Sequence, residues 1–176
     1  MKKVNRENIL ITGYGSIGKK HKYIINKFYP QFKTNVISNH LKKKCKKENF
    51  SACVISSSAN RHKNDLLKMM KFSKNILIEK PLFDKPINKK IENKILNQIK
   101  KKKINVTVGY CLRYHPAIIF LKKFINKQSK NILRLEVNTK TYLPLWRTGD
   151  YRKQVSARKS SGGGVLNELS HEIDLL

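Results

Sequence analysis

The chain has 176 residues, with 39 Lys+Arg against 11 Asp+Glu and a formal net charge of +28. At 39 % hydrophobic and 28 % charged it holds enough apolar material for a core, in one domain or one domain and part of another, which excludes a wholly disordered chain. No apolar stretch approaches the roughly 18 residues of a membrane span, residues 9–11 are too short for a signal peptide, and Cys45, Cys53 and Cys111 form no CxxC pair. These features read as a soluble, cytoplasmic protein with reduced thiols.

The first element in chain order is a continuous apolar run at 8–12, which fits a strand buried on both faces. It stops at glycine and is followed by a helix over 17–28, ended by Pro30, and a second strand at 34–38. The alternation continues with a strand at 52–56, a helix at 61–72 and a strand at 75–79. Next come an amphipathic helix at 88–103, with Ile91, Ile95, Leu96 and Ile99 on one face, and a strand at 105–109. Strand and helix repeated at this spacing predict a Rossmann-type, doubly wound parallel α/β sheet over residues 1–116. Beyond Pro116 a helix at 117–126, a strand at 132–142 with Leu133, Leu135 and Val137 on one face, and a helix at 165–176 are expected. They read as the start of a second domain, 117–176, which is incomplete because its strand has no neighbour in the chain.

The charge has two readings. Lysines that neutralise phosphates would make the chain a nucleic-acid or membrane binder. A Lys-, Asn- and Ile-rich composition with only seven arginines, the residues best suited to bidentate phosphate and base contacts, reads instead as compositional drift. Drift is favoured, with no specific nucleic-acid partner and no membrane partner.

Gly13-Tyr-Gly15-Ser16-Ile17-Gly18 is a G-x-G-x-x-G directly after a strand and opening a helix. Gly13 permits the tight turn, Gly15 lets the backbone approach a pyrophosphate, and Gly18 allows close helix packing, while the helix N-terminus offers amides to the anion. At the end of the second strand, where an acid would bind a ribose 2′-hydroxyl, stand Ser38, Asn39 and His40, followed by Lys42, Lys43 and Lys44. The missing acid favours NADP(H) over NAD(H). The third and fourth strands run into Ser57, Asn60 and His62, and into Glu79-Lys80-Pro81, at the strand ends where open α/β sheets bind ligands. From spacing alone, in a chain with 32 lysines, Lys80 reads rather as a surface lysine in an ordinary turn. On one helix Glu168, His171 and Asp174 share a broad face, which suits either an acid-oriented imidazole acting as general base or a capping and salt-bridge cluster.

Taken together, the glycine loop, Glu79-Lys-Pro81, Gly109-Tyr-Cys-Leu-Arg-Tyr-His-Pro116 and Gly162-Gly-Gly…His171-Glu-Ile-Asp174 resemble the Gfo/Idh/MocA family, the glucose-fructose oxidoreductase and inositol dehydrogenase group. The segment from Tyr142 through Trp146 and Arg147 to Tyr151 and Arg152 further resembles members of sialic-acid-like sugar and surface-glycan clusters. The resemblance implies a Rossmann domain followed by an α+β open-sheet domain, here only begun, and an NAD(P)-dependent oxidoreductase that moves a hydride between nicotinamide and a hydroxyl or carbonyl carbon of a sugar. Lys80 would sit at the reacting hydroxyl, ahead of a commonly cis bond to Pro81, and His171 would be the acid/base. Its acidic partner would be Glu168, preferred over Asn167 because Asn cannot ionise. Arg113, His115, Trp146, Arg147, Tyr151 and Asn167 would serve the sugar, and Ser57, Asn60, His62 and Glu79 the cofactor. No metal is implied. Family members continue far beyond this histidine and form homo-oligomers through the sheet that follows, so the sequence reads as an amino-terminal fragment. The alternatives are a catalytically incompetent nucleotide-binding remnant and a basic nucleic-acid binder.

Overall fold

The computed structural model describes residues 7–37, 49–146 and 148–176. Ser38, Asn39, His40, the lysines at 42–44, Cys45 and Arg147 lie outside the described residues. The chain divides into two compact units, Met1–Val108 and Gly109–Leu176.

The first unit alternates strand and helix as its apolar runs predict: β1 (Asn8–Thr12), α1 (Ser16–Phe28), β2 (Lys33–Ile37), β3 (Ala52–Ile55), α2 (Ala59–Met69), β4 (Asn75–Ile78), α3 (Lys89–Lys102) and β5 (Asn105–Val108). The strands form one sheet in the order β2-β1-β3-β4-β5, every pair parallel. Residues alternate between its faces. Leu10, Cys53, Ile55, Ile76 and Ile78 pack with Leu66 and Met69 of α2 and Ile95 of α3, whereas Ile9, Ile11 and Val54 pack with Ile25 of α1 and with Phe32 and Val36. Helices thus cover both faces, and continuous apolar strands are what such a doubly wound sheet requires.

Local chemistry fixes the helix ends. The Asn88 side chain accepts from the Ile91 amide at 2.9 Å and caps α3. Three lysines stand in the last turn of that helix, where cations suit the carbonyl end of the helix dipole.

Strand order also locates the ligand end. From β1 the chain moves outward to β2, and from β3 it moves the opposite way to β4 and β5, so the winding reverses between β1 and β3. At such a reversal the loops leaving the two strand ends diverge and open a crevice. Thr12 is in register with Ile37 and with Ile55, which brings the three strand ends level.

The second unit opens with a 3-10 turn at Cys111–Tyr114 and α4 (Pro116–Gln128), and closes with α5 (Val165–Glu168) and α6 (Ser170–Asp174). Two expectations are corrected here. The segment 132–142 pairs with nothing as a strand, and Leu133 on its apolar face is 99 % exposed. A strand with one apolar face needs a neighbour to hydrogen-bond and to cover it, and the described residues of this unit supply none. The single helix expected over 165–176 is two, parted at Leu169 with φ −96° and ψ 27°. No hydrophobic residue of this unit is fully buried among the described residues. Among them, too, no helix is long and apolar enough to cross a membrane, and no group of His, Cys, Asp and Glu could hold a metal ion.

Candidate active site

Each unit brings a set of the sequence-predicted residues together. In the first unit the set lies at the ends of β1, β3 and β4.

The glycine turn is pressed onto the end of β3. Gly13 has φ +82°, and a Cβ there would stand 2.6 Å from the Ser56 carbonyl oxygen and from Ser57 Cα. A Cβ on Gly18 would stand 2.1 Å from the Gly13 carbonyl oxygen. Both positions therefore require glycine for packing within the turn. The Ser56 hydroxyl seals it, donating toward the carbonyls of Thr12 at 2.9 Å and Gly13 at 3.0 Å. Gly15 differs: nothing lies within 4 Å of the Cβ it lacks. Open space in front of its backbone, beside the uncapped first turn of α1 that Ser16 and Ile17 begin, is what a pyrophosphate needs for close approach. The turn fits a dinucleotide.

At the end of β3, Ser57 donates to the Asp65 carboxylate at 2.7 Å, and the Ser58 hydroxyl donates to the exposed Asn60 side chain at 2.7 Å. Asp65 is buried, with the Arg61 guanidinium 3.7 Å away. His62, expected to meet the cofactor, is 1 % exposed and engaged with the backbone: Nδ1 lies 2.8 Å from the Pro81 carbonyl oxygen and Nε2 2.9 Å from that of Ser57. At the end of β4 the Glu79 carboxylate lies 2.6 Å from His21 Nε2 of α1, and the Lys80-Pro81 bond is cis. Sequence reasoning passed over His21, because a helix histidine 58 residues from its partner leaves no local pattern.

In the second unit the expected helix face is rearranged by the break at Leu169. Asp174 does not turn toward His171; it takes a two-pronged ion pair from Arg113, with Nε donating to Oδ2 at 2.7 Å. The hydrogen bond that Arg113 donates to Asp174, then the carboxylate's charge, raise the Arg113 pKa above the ordinary arginine range. A group whose folded pKa is raised keeps its stabilising charge below its unfolded value and loses it only as pH climbs past the folded one. Arg113 is therefore cationic across the acid and neutral range. Its Cζ lies 5.6 Å from the Tyr110 ring centroid, and the other neighbour of that ring is the His171 imidazole, edge-on at 5.7 Å. Tyr110, which lies in the Gly109–Pro116 motif but outside the predicted site residues, joins His171 to Arg113.

The remaining predicted residues disperse. The His115 ring accepts from the Ala117 amide at 3.3 Å and caps α4, and Asn167 donates to the Gly162 carbonyl at 3.0 Å. Trp146, Tyr151 and Glu168 instead line one 520 Å³ pocket with Thr139, Lys140 and Leu143.

No protein-family model matches the chain, and no curated protein does. Solved structures do. The chain is similar to an NAD-binding protein from Listeria innocua, with a TM-score of 0.68 and 18 % identity over 97 % of this chain and 54 % of that one. It is similar to scyllo-inositol dehydrogenase from Lactobacillus casei with bound NAD(H) and scyllo-inositol (TM-score 0.59, 14 % identity, 72 % of this chain and 43 % of that one). The WlbA dehydrogenase from Bordetella pertussis in complex with NADH and UDP-GlcNAcA gives a TM-score of 0.59 at 14 % identity, over 70 % of this chain and 44 % of that one. At these identities the likeness shows the fold, and the chain spans about half the length of the proteins it resembles.

One expectation is overturned. NADP(H) was favoured, yet the two similar structures above that hold a nicotinamide dinucleotide hold NAD(H). The missing acid at the end of β2 removed one partner for a ribose hydroxyl without supplying a seat for a phosphate, and in so basic a chain the lysines nearby carry no information about one.

Proposed function

We propose that this chain is the nucleotide-binding part of an NAD(H)-dependent oxidoreductase of the Gfo/Idh/MocA type, acting on a hydroxyl or carbonyl carbon of a sugar or sugar derivative. The observation that carries this reading is the glycine turn at the winding reversal. Gly13 and Gly18 are packed shut, Gly15 is open, and the Glu79-Lys80-Pro81 turn stands on the adjoining strand end. The likeness to an inositol dehydrogenase and to a dehydrogenase complexed with a nucleotide sugar supports the substrate class.

The first-turn amides of α1 and the backbone at Gly15 would hold the pyrophosphate. NAD(H), when bound, supplies the acceptor or donor of the hydride. By the family resemblance Lys80 would steady the substrate oxygen and His171 would be the acid/base, a C–OH that loses a proton and, to the bound cofactor, a hydride becoming a carbonyl, with reduction the reverse. Trp146, Tyr151 and Glu168 line a pocket that would suit a polar, ring-shaped ligand, and the resemblance of the Tyr142 to Arg152 segment to enzymes of sialic-acid-like sugars and surface glycans would narrow the class to sugars of that metabolism. Glu168 would act through His171 as its acidic partner.

The test is NADH formation with a panel of inositols, free sugars and nucleotide sugars. Lys80→Ala and His171→Ala should each lower turnover by about 100-fold or more, the usual worth of a positioned acid or base, while NADH still binds. Turnover unchanged in either variant overturns the assignment. A second reading, nucleotide binding without turnover, is favoured by a second unit that pairs no strand and buries no hydrophobic residue among those described. Saturable NADH binding with no product from any substrate would establish it.

A further inference from the structure

Lys80 is flanked on both sides by residues tied to a histidine on a different helix. Before it, the Glu79 carboxylate meets His21 Nε2 of α1 at 2.6 Å, and both side chains are about four-fifths covered. After it, the Pro81 carbonyl meets His62 Nδ1 of α2 at 2.8 Å. The other nitrogen of His62 reaches Ser57, whose hydroxyl donates to buried Asp65 one turn further along α2. A neutral imidazole donates to one of these carbonyls and an imidazolium to both; in either form the ring fills the gap between the two loops. The buried ring thus joins the loop after β3 to the turn after β4, and α2 anchors both.

We infer that His21 and His62 are positioning residues that bracket the Glu79–Pro81 turn and so set where the Lys80 ammonium stands. A long, flexible lysine side chain is placed only as well as the backbone from which it starts, and two anchors, one on each neighbour, fix that start. Because His21 rides on the helix whose first turn would hold the pyrophosphate, the bracket also ties the lysine to the nucleotide end of the fold. The inference rests on the proposed role of Lys80 only for its consequence in catalysis. The bracket itself concerns this chain alone.

The experiment exploits the abundance of lysine. Full-length wild type, His21→Gln and His62→Gln are labelled with limiting acetic anhydride, and acetylation of Lys80 is read by peptide mass spectrometry against Lys85 and Lys89. Each variant should shift the ratio of Lys80 to reference acetylation several-fold, while Ile95→Val, a conservative core change on α3 that touches neither histidine contact, should leave it at the wild-type value. In turnover assays the same variants should lower kcat by about 100-fold, as small misplacements of a reacting group do, with NADH affinity unchanged. An unchanged acetylation ratio in either folded histidine variant, or an equal shift in Ile95→Val, overturns the bracket. If His62→Gln does not fold, the more exposed His21 carries the test. Labelling judges the bracket and the Lys80→Ala assay judges the enzymatic reading, so either can fail without the other.

Discussion

Three glycines in six residues have three different environments. For Gly18→Ala the added methyl would overlap the Gly13 carbonyl oxygen, so the turn must open and stability fall; a thermal melt should show a clear drop in Tm. For Gly15→Ala there is nothing to strike, and the residue's φ of −75° suits any amino acid. Its Tm should match wild type while NADH affinity falls about tenfold or more, because a methyl then occupies the approach to the backbone amides. Equal Tm losses in the two variants would contradict this division. The glycine spacing was legible because it is local. The same is not true of His21 with Glu79 or of Tyr110 with His171, which are pairs made by tertiary structure. The face shared by Glu168, His171 and Asp174 rests on the premise of an unbroken helix; the helix is parted at Leu169, and Asp174 meets Arg113.

Among the elements, strands backed by helices formed where their apolar runs predicted, and their ends shifted by only a residue or two. A strand buried on both faces advertises itself, since each residue faces a core. Residues 132–142 carry an equally clear alternation without becoming a strand, because alternation states which side must be covered and says nothing of whether a partner is present. Side-chain caps begin α3 at Asn88 and α4 at His115. Removing the α3 cap by Asn88→Ala should cost about 1 kcal/mol, measured by urea denaturation, and Asn88→Asp should recover most of it. A loss within error for Asn88→Ala would mean that the packing of Ile91 and Ile95 alone holds that helix in place.

For the molecule as a whole, the charge of +28 calls for a separate expectation from the site. Lysine-driven contact with nucleic acid should be sequence-blind, with a Kd of about 10⁻⁴ to 10⁻⁶ M at physiological salt, and should weaken steeply as salt rises. Fluorescence anisotropy with two unrelated DNA duplexes across a salt series measures this, and tight binding to one duplex that survives high salt would reopen the nucleic-acid reading. The all-parallel sheet has a further consequence, for the order of assembly. Among the described residues it contains no hairpin, so each of its strand pairings must wait for an intervening stretch of chain, and the Ser56 hydroxyl that seals the glycine turn comes 44 residues after the Thr12 carbonyl it binds. Non-local pairings of this kind fold slowly. On the ribosome the glycine turn emerges early but has nothing to close against until β3 follows, so the proposed nucleotide site is among the first segments made and among the later ones to take shape.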